Sequence, residues 1–322
     1  MDLFNTLSPL APLALEATKF ALKNATSAAN ELAAEASKND AKAVRSILSK
    51  DPSINRAPAL VAAASLGNLR VLDLLLEPLP STDSRERHHH HEPKKINLNV
   101  WSSGSTPLLA TVKNKHCTTT KVLLEAGAEP DLCPKTGTTA LQEAARVGDI
   151  DIVEVLLSFG AGVNHQNVTG DTALIIASRS GHSRTAKYLL ENKAEIEVKN
   201  KKGSTALLVA AAHDYVDVVE ILLKEGATVR VRDKKGRTPL HRAVQGTWLI
   251  DGVRGSGIEK EETVRLLMRA GADPTARDID GKTAAERVGW RTGGEGLKRL
   301  LEKRSRTWNP SPRDQQGRSK TF

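Results

Sequence analysis

Histidine and cysteine side chains are the first candidates for chemistry in this 322-residue chain. Four consecutive histidines, His88–His91, stand beside Glu92 and suggest a zinc site. However, consecutive residues cannot all face one ion, and structural zinc sites use ligands that are spaced so as to converge. Cys117 and Cys133 form no Cys-x-x-Cys pair that would add ligands. We therefore expect an exposed loop at His88–His91, and neither a metal nor another cofactor.

Sequence motifs of the common enzyme classes are missing. The chain has no glycine-rich phosphate-binding loop, no His-Glu-x-x-His and no Gly-x-Ser-x-Gly. These are the patterns that cradle phosphates, hold a catalytic zinc ion or present a nucleophilic serine. We therefore predict that the protein is not an enzyme.

The composition restricts the kind of core that the chain can form. Only four Trp, two Tyr and four Phe occur, yet 39% of the residues are hydrophobic. A core must therefore consist mainly of Ala, Leu, Val and Ile, which suits small helices that pack closely. The excess of 47 basic over 38 acidic residues gives a net charge of +9 and favours acidic partners.

Apolar segments and cysteines indicate the compartment. The longest apolar runs, Ala59–Ala64 and Ala206–Ala212, are far shorter than the roughly 18 to 20 residues that span a bilayer. The apolar stretch Leu10–Leu15 follows no basic residue, so it does not read as a secretory signal. Two cysteines cannot form a disulfide framework and fit a reducing compartment. We expect a cytoplasmic location, a nuclear location, or both.

The chain contains an internal repeat. The motif Gly-x-Thr recurs with its glycine at four successive intervals of 33 residues, and the fifth interval is 45, which is one period with 12 inserted residues. The six glycines are Gly104, Gly137, Gly170, Gly203, Gly236 and Gly281. Self-similarity at such a period is typical of a repeat array.

Each repeat predicts two helices. In the unit that begins at Gly170, the hydroxyl of Thr172 can cap a first helix, and Gly181 ends that helix. A second helix follows, with Ala186 and the pair Leu189–Leu190 on one face. One such unit buries too little apolar surface alone, so stacked neighbours must supply a continuous core.

Three positions depart from the glycine pattern at the ends of helices. Lys115, Lys193 and Asp214 stand where the other units have glycine. Because glycine adopts a left-handed conformation most easily, we expect these turns to be weakened or reshaped while the fold is retained.

These features resemble those of the ankyrin repeat family, whose unit reads Gly-x-Thr-Pro-Leu-His-x-Ala, then Gly, an apolar helix ending in Leu-Leu, and Gly-Ala-Asp. The match is closest at residues 236–243, Gly-Arg-Thr-Pro-Leu-His-Arg-Ala, and roughly residues 30–303 follow the register. The resemblance implies an all-α solenoid of helix-turn-helix units with projecting β-hairpin tips. It also implies that His241 bridges neighbouring units by hydrogen bonds.

The resemblance divides the chain into three parts: a flexible N-terminal segment, residues 1–28, an array of about seven units with a C-terminal cap, residues 29–303, and a disordered basic tail, residues 304–322. Insertions near residues 80–100 and 246–260 interrupt the array. The second insertion carries Trp248, Leu249 and Ile250, which either dock a partner or fold back over the array.

Basic residues concentrate at two successive tips. The residues flanking Gly203 and Gly236, which project as tips in ankyrin-like units, include only Asp233 among the acids. The basic residues of these tips are Lys199, Lys201, Lys202, Arg230, Arg232, Lys234, Lys235 and Arg237. Stacked helices lie roughly 8 to 10 Å apart, so adjacent tips form a patch comparable in size to a Debye length. A solvated basic edge kept for solubility is the alternative interpretation.

Two functions follow. The resemblance implies a non-catalytic adaptor or scaffold that binds a protein partner, with an acidic segment favoured, along the concave surface. The basic tips would then act together with four first-helix residues, Arg146, Arg179, His213 and Arg242. Alternatively, the tips and the C-terminal tail bind nucleic acid or an anionic membrane, although the chain has no nucleic-acid motif and its four Trp are scattered. We expect the protein to be a monomer by itself; a subunit of an enzyme complex would use the same binding mode.

Overall fold

The structure is a computed structural model that describes residues 27–77, 96–102, 104–134, 137–245, 257–288 and 294–307. Several features singled out in the sequence lie outside these residues. They are the histidines His88–His91, the apolar triplet at 248–250, most of both insertions, and the terminal segments 1–26 and 308–322.

Helices make up the regular structure of the described residues. The first, α1, covers residues 27–37. The other α-helices are α2 Ala41–Lys50, α3 Ala57–Leu66, α4 Leu69–Leu76, α5 Pro107–Lys113, α6 Cys117–Glu125, α7 Ala140–Val147, α8 Ile150–Ser158, α9 Ala173–Ser180, α10 Ser183–Glu191, α11 Ala206–His213, α12 Val216–Lys224, α13 Pro239–Gln245, α14 Gly257–Arg269 and α15 Gly294–Thr307. A 3-10 turn, Ala285–Arg287, precedes α15. The prediction of an all-α chain is confirmed.

The tips are turns that lack β-ladders within the described ranges. Only two isolated bridges occur there, Ser102 with Ser105 and Arg277 with Thr283. The expected hairpins are therefore reduced to short loops. Pairs of hydrogen bonds close these loops, as where the N–H of Asn167 donates to the carbonyl of Asp171 at 3.1 Å.

The chain divides into two compact units, residues 1–134 with 158–160, and residues 135–157 with 161–322. In the first unit, α3 packs against α4 and α5. In the second unit, the first helices α7, α9, α11 and α13 pack in that order, and α10, α12 and α14 form the neighbouring row. Fully buried small residues, Ala177 and Ala210 among them, let the first helices approach, and buried Leu189 and Leu222 fill the space beside them.

Threonine caps begin the first helices as the repeat predicts. The Thr172 Oγ1 accepts the N–H of Ile175 at 3.3 Å, which satisfies one of the unpaired first-turn amides of α9. Thr106, Thr139 and Thr205 cap α5, α7 and α11 in the same way.

The three departures from glycine keep the turn that glycine would make. Lys115, Lys193 and Asp214 have φ angles of 60°, 69° and 60°, the left-handed conformation of the glycines in the same register. The expectation that these turns would be reshaped is wrong. Packing of the helices on either side outweighs the roughly 1 to 2 kcal/mol by which a side chain disfavours this conformation.

Two boundaries differ from the sequence prediction. Helix α1 is already helical at residue 27, inside the segment expected to be flexible. Helix α15 continues to Thr307, past the predicted end of the array at 303. The physical reason is local: Leu301 is fully buried, and the ion pair between Lys298 and Glu302 supports the exposed side of the same helix.

Candidate functional site

Four successive tips share one pattern of hydrogen bonds. Three residues before the turn glycine, an Asn or Asp oxygen accepts the backbone N–H groups two and four residues ahead. At the tip of Gly203, Asn200 Oδ1 accepts from Lys202 at 2.9 Å and from Ser204 at 3.0 Å. The residues that do this at the other three tips are Asn167, Asp233 and Asp278. Such a side chain replaces a backbone acceptor and fixes the turn.

These four tips, which end at Gly170, Gly203, Gly236 and Gly281, are joined by main-chain hydrogen bonds and are called the tip row below. The N–H of Lys201 donates to the carbonyl of Thr169 at 3.0 Å, and the N–H of Lys234 donates to the carbonyl of Lys202 at 3.1 Å. The N–H of Ile279 donates to the carbonyl of Lys235 at 3.2 Å. The expectation that the two basic tips lie side by side is confirmed.

Lysines occupy the exposed positions in the middle of the tip row. All five lysines of the predicted site are exposed: Lys199, Lys201, Lys202, Lys234 and Lys235. At the two ends of the row, the positions equivalent to Lys201 and Lys234 hold Val168 and Ile279, which are 50% and 68% exposed. The tip row therefore presents a basic centre between two apolar ends.

The arginines of the tips are engaged in local structure. Arg232 Nη1 donates to the carbonyl of Gly236 at 2.8 Å and to that of Arg277, in the next tip, at 2.6 Å. Arg237 forms an ion pair of 2.7 Å with buried Asp233. Arg230 is exposed. Asp233 offsets the charge of Arg237, so the basic character of the row comes mainly from its lysines.

The tips and the first helices of the second unit face a common groove of about 450 Å³. Tip residues Thr169 and Lys202 line it, together with Ile176, Arg146 and Arg179 of the first helices. The structure thus brings predicted contact residues from tips and helices to one surface. We call this surface the groove.

Both groove arginines are paired with carboxylates. Arg146 lies 2.7 Å from Glu143, and Arg179 lies 2.8 Å from Asp171. Although burial alone would raise the pKa of Asp171, hydrogen bonds from Arg179 and from Asn200, the latter at 2.7 Å, hold it below its usual value. Asp171 therefore stays ionised and positions the Arg179 guanidinium.

His213 and Arg242 differ from the other predicted contact residues because each has a buried donor or acceptor atom without a partner. Among the residues that the structure describes, His213 Nδ1 and Arg242 Nε make no hydrogen bond. Burial lowers the pKa of His213, and the charges of Arg179 and Arg242 lower it further. Burial, followed by the charge of Arg237, also lowers the pKa of Arg242, although the charge of Asp233 acts in the opposite direction.

His241 bridges two repeats, as the family resemblance implies. It is fully buried; its Nε2 donates to the carbonyl of Lys282 at 3.0 Å, and its Nδ1 accepts from the Thr238 hydroxyl at 2.8 Å. The sequence analysis did not identify Gln142, which bridges its own repeat to the next one in the same way. Gln142 Nε2 donates to the carbonyl of Asp171 at 3.1 Å. The signal was its position, five residues after Gly137, as His241 lies five residues after Gly236.

Metal and membrane sites are not formed by the part of the chain that the structure covers. Within those residues no three His, Cys, Asp or Glu side chains lie close enough together to hold a metal ion. No helix there combines the length and apolarity needed to cross a membrane. Cys117 and Cys133 do not form a disulfide with each other.

Comparison with known proteins identifies both a family and a similar solved structure. The family model for ankyrin repeats in three copies matches residues 108–200 and 187–278. The crystal structure of the human ASB11 ankyrin repeat domain superposes with a TM-score of 0.60 and 27% sequence identity, covering 75% of this chain and 96% of that chain. A search of curated proteins found no match. These matches confirm the expected fold, and ankyrin repeats generally serve as protein–protein interaction modules.

Proposed function

Because the chain belongs to the ankyrin repeat family, we propose that it is a non-catalytic adaptor that binds an acidic segment of a protein partner along the tip row and the groove. The observation that carries this proposal is the series of main-chain hydrogen bonds that holds the lysine-bearing tips next to each other. The bonds fix the backbone in register, so the lysine charges act together on one extended surface.

The charge of the tip row is available to a partner. Exposed lysines contribute little to folding, and the tip carboxylate Asp233 is already engaged by Arg237. A partner with Asp or Glu residues would meet a positive potential that speeds its association and selects against basic competitors. The apolar side chains Val168 and Ile279 at the two ends favour a segment whose acidic centre is flanked by apolar residues.

Charge reversal at the tips tests this proposal. A variant with Lys201, Lys202, Lys234 and Lys235 all changed to Glu should lose the protein partners that the intact chain captures, with little change in helical circular dichroism. A control variant changes the net charge equally at exposed lysines outside the tip row: Lys42, Lys50, Lys113 and Lys193 to Glu. Purified partners should bind the control much as they bind the wild type, and more weakly as salt rises.

The competing function, nucleic-acid or anionic-membrane binding, predicts a different pattern. Duplex DNA, single-stranded RNA and anionic vesicles should then bind near physiological salt, and removal of residues 304–322 should weaken binding strongly. If the tip-reversed variant kept every protein partner while this truncation lost nucleic acid or vesicles, the adaptor proposal would be wrong.

A further inference from the structure

Arg242 carries a positive charge that has no ion-pair partner among the described residues, and only the more distant charge of Asp233 partly offsets it. The neighbouring cations each have a carboxylate: Arg179 pairs with Asp171 at 2.8 Å, and Arg237 pairs with Asp233 at 2.7 Å. Across the ranges that the structure describes, no carboxylate lies within ion-pair distance of Arg242. An arginine remains protonated under all ordinary conditions, so this partly buried guanidinium calls for an anion.

The same place holds two polar atoms that are buried and unused. Arg242 Nε, on α13, and His213 Nδ1, at the end of α11, are shielded from solvent and have no hydrogen-bond partner among the described residues. Buried polar groups in native proteins are nearly always paired, and an exception calls for an explanation. Tyr215 stacks on the His213 ring, with centroids 5.9 Å apart, which restricts how far the imidazole can turn to find a partner.

These atoms lie beside the groove. Arg179 lines the groove and is close enough to His213 for its charge to lower the pKa of that imidazole, after the larger effect of burial. Arg242 acts on His213 in the same way from the next first helix. The three side chains therefore form one cluster that spans α9, α11 and α13.

We infer that Arg242 and His213 form a pocket that binds one carboxylate side chain, Asp or Glu, of the segment lying in the groove. The inference rests on the proposed adaptor function and names the position where its acidic partner is anchored. The Arg242 side chain, which is partly exposed, turns so that its Nε–H donates to a carboxylate oxygen, whose charge offsets the guanidinium. The neutral His213 imidazole, whose pKa is lowered by burial and then by the charges of Arg179 and Arg242, donates from Nδ1–H to the second carboxylate oxygen.

The amount of charge selects a carboxylate over a phosphate group. With His213 neutral, the pocket offers the single positive charge of Arg242, which has no ion-pair partner among the described residues and matches the single charge of Asp or Glu. A phosphorylated side chain carries about −1.5 to −2 near neutral pH and would leave part of its charge unpaired beside the carboxylates of Asp171 and Asp233. Tip lysines, in contrast, attract any anion without geometric selection.

The test titrates the full-length protein with a blocked tetraglutamate peptide, with the tetraglutamine peptide as the neutral match and inorganic phosphate as the competing anion. Arg242→Gln and His213→Gln should each weaken tetraglutamate binding about tenfold, the effect of losing one charge-assisted hydrogen bond. Lys201→Gln removes one charge outside the pocket and should weaken binding less than about threefold. In an NMR titration of labelled histidines, the His213 resonance should report a higher pKa when tetraglutamate is bound.

Several outcomes would overturn the inference. Equal losses of tetraglutamate affinity for Arg242→Gln and Lys201→Gln would show that net charge alone binds the probe. Wild-type affinity in both Arg242→Gln and His213→Gln would lead to the same conclusion. The adaptor proposal would survive those results, because the tip-reversal experiment with captured partners tests it separately. Failure of tetraglutamate to bind the wild type, or displacement of the peptide by phosphate at lower concentration, would also reject the carboxylate pocket.

A stability measurement distinguishes a binding role from a structural one. Replacing an unpaired buried charge by an apolar side chain of similar length should not harm the fold. Arg242→Met should therefore melt at the same temperature as the wild type or higher, while it loses tetraglutamate binding. A clear drop in Tm would show that Arg242 supports the fold and would contradict its assignment to a ligand pocket.

Discussion

The two ends of the first helices are joined to their neighbours in different ways. At the tip end, the exposed turns bond backbone to backbone, as between Lys234 N–H and the Lys202 carbonyl, and buried side chains such as His241 add bridges beneath them. At the other end, where the first helix turns into the second, a side chain makes the connection. His182 Nε2 donates to the carbonyl of Arg146 at 3.0 Å, and His116 does the same to Ser65 in the first unit at 3.1 Å.

The difference shows where the sequence is constrained. At the helix-turn end, a bridging side chain must have a donor of suitable reach, and its neighbour must leave room: a Cβ at Gly148 would lie only 2.5 Å from the His182 ring. At the tip end, any residue with an N–H can make the bond, so Lys201 and Lys234 need not be lysines for the fold. The residue type at the tip is restricted instead at the position that closes the turn, such as Asn200, because its side chain must accept hydrogen bonds.

The largest effect should come from the turn-closing residue. Asn200→Ala removes the acceptor of two N–H groups and a 2.7 Å hydrogen bond to Asp171. We expect unfolding free energy to fall by about 2 to 4 kcal/mol, since two or three hydrogen bonds are lost around a buried side chain. Urea denaturation measures the loss. A change below about 0.5 kcal/mol would mean that the tips are not held by these side chains.

Removal of a bridging side chain at the helix-turn end should have a smaller effect. His182→Ala should destabilise the protein by about 1 to 2 kcal/mol, because the Arg146 carbonyl loses its donor and the ring leaves a gap over Gly148. Asn68 holds the equivalent position in an earlier repeat, where it donates to the Ala36 carbonyl at 2.9 Å. His182→Asn should therefore recover part of the loss. Equal melting temperatures for the Ala and Asn variants would argue against the bridge.

Acid should destabilise the protein partly through His241, the buried side chain that bridges two repeats near the tips. Burial lowers the pKa of His241 below that of the unfolded chain, near 6.5. The unfolded state then binds more protons as pH falls, so stability is greatest above about pH 6.5 and declines below it. His241→Gln should flatten part of this decline in denaturation curves recorded from pH 7.5 to 5. Some dependence should remain, since burial also lowers the pKa of His213.

The smallest effect is expected at the exposed lysines. Lys234→Ala retains the N–H that donates to Lys202, and surface substitutions of this kind usually change stability by no more than about 0.5 kcal/mol. Thermal melting of Lys234→Ala beside Asn200→Ala gives the comparison directly. A Lys234→Ala loss as large as that of Asn200→Ala would show that tip side chains, rather than the main chain, hold the repeats together.

Much of the fold follows from the sequence because it depends on residues close together in the chain. The Gly-x-Thr motif defines the register, and Thr172 needs only Ile175, three residues on, to cap its helix. The φ angle of Lys193, 69°, could not be predicted from its residue type, since a side chain disfavours the left-handed conformation.

The candidate site was only partly predictable. Exposed lysines at the tips followed from the register, but the arginines beside them had partners that sequence distance conceals. Arg232 donates a hydrogen bond to the carbonyl of Arg277, which lies 45 residues later in the sequence. An insertion makes this distance longer than the 33-residue period of the other repeats. The turn-closing Asn and Asp recur three residues before four of the glycines, yet Trp101 and Pro134 occupy that position before Gly104 and Gly137. Neither side chain can accept a hydrogen bond, so the pattern does not extend through every repeat.

The main-chain bonds between tips also affect how this protein can change over time. Because the Lys201 and Lys234 bonds involve only backbone atoms, mutations of these side chains can accumulate without bringing the protein nearer its stability threshold. New binding preferences can therefore arise at the tips by single substitutions. The same property makes these positions suitable for randomisation in a library, where most members should still fold.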